Sequence, residues 1–251
     1  MTIHYQLDGR ADAPVIVLSN SLGTTLSMWD GQMEALLAHF RVLRYDTHGH
    51  GCTTKQGKVT LAQLGEDVLS VMTQAGVEKA HFCGISMGGI TGLWLARFAP
   101  ERFYSVTVAN SAAKIGEQAN WLSRARTVRQ EGMGVVAAGS ADRWFTPSFR
   151  QHHPAEVESL VHQLATSKAE GYAECCEALA AADLRAEVAD IRLPLLLIAG
   201  EADPVTTVPD SEFLRNQVPE ANLVRLPASH LSNIEQPALF NAALLGFLQK
   251  G

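Results

Sequence analysis

The sequence predicts an α/β fold, in which a mostly parallel β-sheet is covered by helices on both faces. Short apolar runs are typical of buried parallel strands, and longer amphipathic stretches lie between them along the chain. The strand-like runs are Val15 to Ser19, Val42 to Tyr45, His81 to Cys83, Ser105 to Ala109, Leu195 to Ala199 and Leu223 to Leu226. The helical stretches are Met28 to His39, Leu61 to Ala75, Ile90 to Phe98, Ser211 to Val218 and Leu239 to Gln249.

The alternation of strands and helices is interrupted between about Lys114 and Asp190. Ala, Glu, Gln and Arg dominate there, and glycines and prolines divide the segment into short helical pieces. The strand pattern resumes at Leu195, so this segment is an insertion within the sheet sequence. We therefore predict two units: an α/β core formed by residues 1–113 and 190–251, and a helical cap, residues 114–189, over the ends of the strands.

The composition is that of an ordinary globular protein. Apolar residues make up 47% and charged residues 18% of the 251 residues, which suits one α/β domain with an insertion. The net charge of -6 and the lack of a basic cluster argue against a nucleic-acid partner. No apolar run approaches the ~18 residues of a membrane-spanning helix, so we expect no membrane partner.

The four cysteines point to a reducing compartment. Cys52, Cys83, Cys175 and Cys176 form no CxxC pattern, which argues against both a disulfide framework and a zinc site. The N-terminal residues have no basic segment followed by an apolar stretch. We therefore expect a cytoplasmic protein without a metal or cofactor.

Residues 84–89, Gly-Ile-Ser-Met-Gly-Gly, contain the candidate nucleophile, Ser86. They follow a predicted strand and precede a predicted helix, the context in which G-x-S-x-G forms the sharp turn called a nucleophile elbow. The alternative is an inert glycine-rich turn. Nucleotide binding is disfavoured, because the spacing is not G-x-G-x-x-G and no Walker lysine follows.

A serine hydroxyl needs a neighbouring base, usually a histidine oriented by a carboxylate. Asp203 and His230 each follow a late predicted strand, and the order Ser, Asp, His is the one that this motif uses. We predict His230 as the general base and Asp203 as the acid that orients it. Glu201 remains an alternative acid, and either loop residue alone is often only a turn former or a solvated side chain.

The oxyanion of an acyl-transfer reaction needs two backbone donors. One comes from the residue after the nucleophile and the other from a loop after an early strand, which here are Met87 and Leu22. Leu22 follows the strand that ends near Ser19, although a plain strand-to-helix turn would have the same sequence.

Several blocks of the chain together resemble the α/β-hydrolase superfamily. They are residues 20–23 (Asn-Ser-Leu-Gly), residues 46–51 (Asp-Thr-His-Gly-His-Gly), the Ser86 turn, and the loops of Asp203 and His230. The resemblance implies the α/β-hydrolase fold with an eight-stranded sheet and an inserted helical cap. Asn20 and His48 depart from the usual pattern, which carries His and Arg there.

Within that superfamily the chain is most similar to the 3-oxoadipate enol-lactonases of the β-ketoadipate pathway. The similarity rests on residues 20–23, 45–47, 110–116, 171–176 and 182–185. It implies hydrolysis of a small acidic enol lactone to 3-oxoadipate through an acyl-enzyme, in aromatic catabolism. We expect the protein to be a monomer or a homodimer.

The acidic arm of such a lactone needs a cation near the cap. Arg126 and Arg129 share one face of a predicted helix because they are three residues apart, whereas Arg124 does not share that face with Arg126. We predict Arg126 and Arg129, with Trp121 and Trp144, as substrate-binding residues. A solvated helix surface and a small cap core are the alternatives for the arginines and tryptophans, respectively.

Other functions are compatible with the same triad. A carboxylesterase or a carbon-carbon bond hydrolase of another small acidic substrate would use the same three residues. A cofactor-free haloperoxidase or perhydrolase shares the fold, and a non-catalytic binding module is the alternative outside enzymes.

Overall fold

The computed structural model describes residues 2–54 and 57–249. Seven strands lie in one sheet with the order β1-β3-β2-β4-β5-β6-β7. Their bounds are β1 Tyr5–Asp8, β2 Val15–Ser19, β3 Arg41–Tyr45, β4 Ala80–Ile85, β5 Phe103–Ala109, β6 Leu195–Gly200 and β7 Ala221–Leu226.

All strand pairs are parallel except that of β1, which runs antiparallel to β3. Every predicted strand is present, but the predicted number of eight is wrong for the described residues. Residues 2–4 form no ladder, because their backbone groups bond to a loop, with His4 N–H donating to Thr53 Oγ1 at 3.0 Å. The chain therefore contributes a single antiparallel strand before β2.

Two groups of helices cover the sheet, as predicted. In one, α1 packs against α12; in the other, α2 packs against α3, while α10 packs on β6 and β7. The helix bounds are α1 Asp30–Leu37, α2 Leu61–Gln74, α3 Met87–Phe98, α4 Gln118–Glu131, α5 Gly134–Ala137, α6 Ser140–Trp144, α7 Pro147–His152, α8 Pro154–Ala165, α9 Ala169–Ala181, α10 Val208–Gln217, α11 Ser232–Glu235 and α12 Pro237–Leu248.

The helices α4 to α9 all lie between β5 and β6 in sequence and form the helical insertion. Within the insertion, α4 and α9 pack most extensively against each other, and α9 also packs against α2. A buried hydrogen bond of 2.9 Å joins His48 Nε2 to Glu174 Oε2. A Cβ on Gly171 would lie 2.4 Å from the Gly49 carbonyl oxygen, so the insertion touches the loop after β3 with no room for a side chain.

The core of the sheet is made of aliphatic residues that are buried on both faces. All six residues of β4 and of β6 are buried. For this reason β6 is a continuous apolar run, and β4 does not alternate and has His81 as its one polar side chain. In the described part of the chain, no helix is long and apolar enough to cross a membrane.

Candidate active site

Ser86 lies on the turn between β4 and α3, where the chain reverses sharply. Its backbone has φ 57° and ψ -114°, a conformation outside the usual regions for a residue with a side chain. Three bonds hold this strained turn: Ser86 N–H donates to Ala109 O at 3.0 Å, Ile90 N–H donates to Ser86 O at 3.0 Å, and Ser111 Oγ donates to Ser86 O at 2.7 Å.

The glycines around Ser86 are required by close backbone approach. A Cβ on Gly84 would lie 2.2 Å from Gly88 O, and one on Gly88 would lie 2.2 Å from Ser19 O. Neither backbone can give way without displacing a strand or the start of α3. The motif therefore forms the tight strand-turn-helix that was predicted from its context.

His230 and Asp203 form a buried pair at the C-terminal ends of β7 and β6. The distance from His230 Nδ1 to Asp203 Oδ2 is 2.8 Å. Because Oδ2 accepts this bond, Nδ1 carries a proton and Nε2 is left free to act on another group. Ser86 and His230 line the same cavity. Glu201, the alternative acid, is exposed and does not take this place.

Asp203 is held as a carboxylate by its surroundings. Its Oδ2 also accepts from Asn110 Nδ2 at 3.0 Å and from Thr206 Oγ1 at 2.9 Å, and its Oδ1 accepts from Val205 N–H at 2.8 Å. Burial raises the pKa of this carboxyl, but the charge of His230 and these hydrogen bonds outweigh burial, so the pKa of Asp203 is below its ordinary value.

The two predicted oxyanion donors belong to the start of α3 and to the loop after β2. Met87 is the first residue of α3, so its N–H has no acceptor within the helix, whereas Gly88 N–H donates to Asn20 O at 3.1 Å. Leu22 follows β2 and lines the cavity. The positive end of the α3 dipole lies at the same place and favours negative charge.

The cavity above Ser86 has a volume of about 280 Å³, which suits a small ligand. Residues from four loops and from the helical insertion line it. They are Ser21, Leu22, Ser86, Ile115, Gly116, Glu117, Asn120, Trp121, Arg124, Arg143, Trp144, Leu164, Tyr172, Pro204, Val205 and His230.

The cationic residues of the cavity are Arg124 and Arg143, and the prediction of Arg126 and Arg129 is corrected. Arg126 is exposed, and Arg129 forms ion pairs with Glu170 and Glu177 on the surface, at 2.8 Å for Glu170. The buried face of α4 carries Trp121, Ala125 and Val128. Arg124 lies one turn from Trp121 and borders this face, whereas the other two arginines point away from it.

Arg124 and Arg143 carry adjacent positive charges without a neutralising carboxylate. Among residues 2–54 and 57–249, no carboxylate oxygen lies within 4.0 Å of either guanidinium. Burial and the charge of Arg124 lower the pKa of Arg143, although a guanidinium stays protonated in proteins. Two such groups in one cavity have the charge and the donors that an anion would need.

The two predicted tryptophans both line the cavity. The Arg124 guanidinium carbon lies 4.8 Å from the centre of the Trp121 ring, a cation-π contact that orients the charge. Trp121 Nε1–H donates to Ile115 O at 2.6 Å. Trp144 is buried, and its carbonyl oxygen accepts from Leu231 N–H at 3.1 Å.

Glu235 joins the His230 loop to the helical insertion. Its Oε2 accepts from Ser229 N–H at 2.8 Å, and its carboxylate also accepts from the N–H and hydroxyl of Thr146. Ser229 Oγ adds a bond to Arg143 O at 3.2 Å. The residues on either side of His230 are thus tied to the segment that carries Arg143 and Trp144.

One group of potential metal ligands lies away from the cavity. In the part of the chain that the structure describes, His4, Asp46 and Cys52 offer ligand atoms within 4.8 Å of one another. Both Asp46 oxygens already accept backbone N–H groups, from Leu26 and from Cys52, each at 2.9 Å. These bonds fix the conformation of the loop after β3, so Asp46 has a structural role there.

Sequence reasoning missed Arg143, Asn110 and Glu235 as contributors to the site. Arg143 belongs to α6, which has five residues, too few to display a helical period. Asn110 contacts Asp203, and Glu235 contacts Thr146, at positions far away in the sequence. The sequence around each residue shows only a strand end or a loop, and it gives no indication of these partners. For Arg124 a signal was present, since the apolar spacing of Trp121, Ala125 and Val128 marks the inner face of α4.

The arrangement can carry out acyl transfer. A strained serine, an imidazole with a buried carboxylate behind it, and backbone N–H groups at a helix start are the parts that nucleophilic attack on a carbonyl requires. The adjacent arginines add recognition of a negatively charged group.

Comparison with known proteins agrees with this geometry. The chain is 48% identical to 3-oxoadipate enol-lactonase 2 of Acinetobacter baylyi, over 100% of this chain and 94% of that protein, and 46% identical to 3-oxoadipate enol-lactonase 1 of the same species, over 99% and 93%. The crystal structure of the enol-lactonase from Burkholderia xenovorans LB400 superposes with a TM-score of 0.96 at 43% identity, covering 98% of this chain and 96% of that one. The profile of the alpha/beta hydrolase fold family matches residues 14–237. The chain therefore belongs to the α/β-hydrolase fold family.

Proposed function

We propose that this protein hydrolyses 3-oxoadipate enol-lactone to 3-oxoadipate with a Ser86-His230-Asp203 triad. The observation that carries the proposal is the presence of Arg124 and Arg143 in the same cavity as Ser86 and His230. A lactone that bears a carboxylate arm matches this cavity, because its carbonyl would face Ser86 and His230 and its carboxylate would face the two arginines. The enol-lactonase relatives, similar over the whole chain, support the same substrate.

In the acylation step, Ser86 Oγ attacks the lactone carbonyl carbon while His230 Nε2 accepts its proton. The negative charge on the carbonyl oxygen is stabilised by the N–H groups of Leu22 and Met87. When the tetrahedral intermediate collapses, the ring C–O bond breaks and His230 returns the proton to the enol oxygen. Asp203 stabilises the imidazolium without taking its proton.

In the deacylation step, His230 accepts a proton from water as the water attacks the acyl-enzyme carbonyl. The second tetrahedral intermediate then collapses: the bond to Ser86 Oγ breaks, His230 Nε2 returns the proton to Ser86 Oγ, and the free acid is released. The enol formed in the first step tautomerises to the ketone, which removes the nucleophile that would otherwise close the ring again. This makes ring opening effectively one-directional.

The substrate carboxylate would bind between the guanidinium groups of Arg124 and Arg143. Bound there, it relieves the repulsion between the two cations and gains charge-assisted hydrogen bonds, each worth about 1.5–3 kcal/mol. The stacked Trp121 ring leaves Arg124 few other orientations. Binding energy at this remote group can orient the lactone carbonyl toward Ser86.

The residues that line the cavity indicate different roles for the two parts of the chain. We propose that residues 114–189 act as a cap that selects the substrate, since they supply Trp121, Arg124, Arg143, Trp144 and Tyr172 to the cavity. Residues 1–113 and 190–251 act as the core that supplies the triad and both oxyanion donors.

We further propose that the enzyme works in the cytoplasm as a monomer or homodimer. All four cysteines are free, and Cys83, Cys175 and Cys176 are buried, which is usual for proteins kept in a reducing compartment. Light scattering on the purified protein at two concentrations distinguishes the two assembly states, and a larger particle would contradict the proposal.

The first test is the ultraviolet decay of 3-oxoadipate enol-lactone with wild-type protein and with Ser86→Ala, beside p-nitrophenyl acetate as a neutral ester. We expect rapid lactone decay that falls by about 10⁴-fold or more in the variant. Ester cleavage without lactone decay would retain the triad and reject the lactone. Lactone decay unchanged by Ser86→Ala would reject the nucleophile.

The second test addresses the carboxylate site with Arg124→Gln and Arg143→Gln. We expect KM for the lactone to rise by about 10-fold or more in each, from the loss of one charge-assisted contact, while kcat/KM for p-nitrophenyl acetate changes little. Arg126→Gln is the matched control, because Arg126 is exposed on the same helix. Equal effects of Arg124→Gln and Arg126→Gln would contradict the assignment.

A further inference from the structure

His50 is a buried side chain that makes two hydrogen bonds beside the oxyanion segment. Its Nδ1 lies 2.8 Å from His48 O, and its Nε2 lies 3.0 Å from the backbone nitrogen of Gly23. A backbone N–H can only donate, so Nε2 is the acceptor of that bond, and Nδ1 carries the proton that it donates to His48 O. The two bonds together require one neutral tautomer of His50.

The surroundings of His50 keep the ring in this neutral form. Burial lowers the pKa of His50, with the charges of His48 and Lys168 acting in the same direction. The carboxylate of Asp46 and the His48 carbonyl act in the opposite direction but are outweighed. The Tyr172 ring packs from the insertion, with its centre 6.4 Å from that of His50.

Gly23 directly follows Leu22, the candidate oxyanion donor from the loop after β2. Its backbone is left-handed, with φ +83°, and a Cβ there would lie 2.5 Å from Leu164 Cδ1. The peptide between Leu22 and Gly23 is therefore confined from one side by the insertion and from the other by the bond to His50.

Three hydrogen bonds connect this loop to the segment after β3. Asn20 Nδ2 donates to Tyr45 O at 2.8 Å, and Leu26 N–H donates to Asp46 Oδ1 at 2.9 Å. These two hold the ends of the loop. The bond between Gly23 and His50 holds the peptide that follows Leu22, so it limits rotation about the Leu22 backbone and, through it, the orientation of the Leu22 N–H.

We infer that His50 is a positioning residue for the oxyanion hole, whose neutral Nε2 holds the Gly23 N–H and thereby fixes the donor at Leu22. The inference rests on the proposed hydrolase function and deepens it. His50 is not among the residues that line the cavity. Its effect is confined to the stabilisation of the tetrahedral intermediate, and ground-state binding at Arg124 and Arg143 does not depend on it.

Two variants separate the two hydrogen bonds of the ring. His50→Gln places an amide oxygen as many bonds from Cα as Nε2, so it keeps an acceptor for Gly23. His50→Asn places an amide N–H where Nδ1–H was, so it keeps the donor to His48 O and leaves Gly23 without its acceptor. The pair therefore removes one interaction at a time at a single position.

The measurement compares a tetrahedral probe with a ground-state probe. Phenylboronic acid forms a tetrahedral adduct with an active serine, and its Ki reports oxyanion stabilisation, whereas adipate reports binding of the carboxylate group. Both Ki values and the kcat for p-nitrophenyl acetate are referred to the concentration of active sites titrated with a fluorophosphonate. This removes any contribution from misfolded protein.

For His50→Asn we expect kcat to fall and the boronate Ki to rise by about 10-fold, a fraction of the 10²- to 10³-fold cost of losing a whole oxyanion donor. The adipate Ki should stay within about 3-fold of wild type, and His50→Gln should recover most of the loss. A boronate Ki for His50→Asn equal to that of wild type, or equal losses in both variants, would overturn the inference.

A measurement on the wild-type protein covers the case in which a variant does not fold. A scalar coupling across the hydrogen bond between Gly23 nitrogen and His50 Nε2, in ¹⁵N-labelled protein, is expected in the free and boronate-bound states. Its absence from both would overturn the inference. Failure of the proposed function is distinct, because it would be seen in wild-type protein: no lactone decay would reject the substrate, and neither ester cleavage nor boronate binding would reject the serine hydrolase.

Discussion

Asn110 supports Asp203 from the end of the neighbouring strand. Its Nδ2 donates to Asp203 Oδ2 at 3.0 Å and to Ser229 O at 3.0 Å, while its Oδ1 accepts from Ser232 Oγ at 2.5 Å. Asn110 has φ 44°, a left-handed conformation that Asn tolerates better than most residues. One side chain thus fixes the acid and, through Ser229, the loop that carries His230.

Replacement of this side chain, Asn110→Ala, should lower kcat for ester or lactone hydrolysis by about 10-fold. It removes a hydrogen bond to a buried carboxylate, worth roughly 1.5–3 kcal/mol, and frees the His230 loop. Steady-state kinetics with active-site titration measure the effect. Thr206→Val, which removes another bond to the same Asp203 oxygen but leaves Ser229 alone, is the control, and a larger loss there would contradict the role given to Asn110.

Glu235 should hold the loop of His230 against the helical insertion through its bonds to Ser229 and Thr146; we call this contact the Glu235 clamp. In Glu235→Gln one acceptor becomes a donor, which faces the N–H of either Ser229 or Thr146, so we expect the free energy of unfolding to fall by about 1–3 kcal/mol. We also expect kcat to fall several-fold as His230 is less well placed. Urea unfolding and kinetics measure the two effects.

The control for this clamp is Glu212→Gln, which disrupts only a surface ion pair with Arg225. Such pairs contribute about 0–1 kcal/mol. If Glu235→Gln were no less stable than Glu212→Gln, the buried carboxylate would have no clamping role.

The fold and the places of Ser86, Asp203 and His230 in it could be predicted from the sequence because both depend on local signals. β6 is apolar throughout and β4 carries only one polar side chain, His81. Ser86 lies in a motif whose glycines are required by backbone contacts within the turn and with β2. The pair of arginines that lines the cavity could not be predicted in the same way. Arg124 and Arg143 belong to different helices, and the two meet only through packing of the insertion, in which α6 is too short to show a period.

The close contact between Gly49 and Gly171 predicts a specific response to a single methyl group. In Gly171→Ala the new Cβ would lie 2.4 Å from Gly49 O and 2.5 Å from Gly49 Cα. Because backbone on both sides must move, we expect a destabilisation of about 1–3 kcal/mol and a higher KM, since Tyr172 moves with α9.

The matched control for that methyl group is Gly246→Ala in α12. Its Cβ would meet nothing within 4 Å, so we expect a stabilisation of about 0.5–1 kcal/mol from the lower chain entropy of the unfolded state. Thermal and urea unfolding measure both changes. Equal effects of the two substitutions would show that the Gly49 contact does not constrain the insertion.

The lowered pKa of Asp203 predicts how stability depends on pH. A carboxyl group whose pKa is lower in the folded state stabilises the fold above its unfolded pKa, and this stabilisation is lost as pH falls through the folded pKa. The ordinary value for Asp is 3.8, so the loss belongs below about pH 4. We expect the difference in free energy of unfolding between wild type and Asp203→Asn to be constant from about pH 6 to 8 and to shrink below about pH 4. A difference that grew on acidification would mean that burial, and not the bonds from His230 and Asn110, controls the pKa of Asp203.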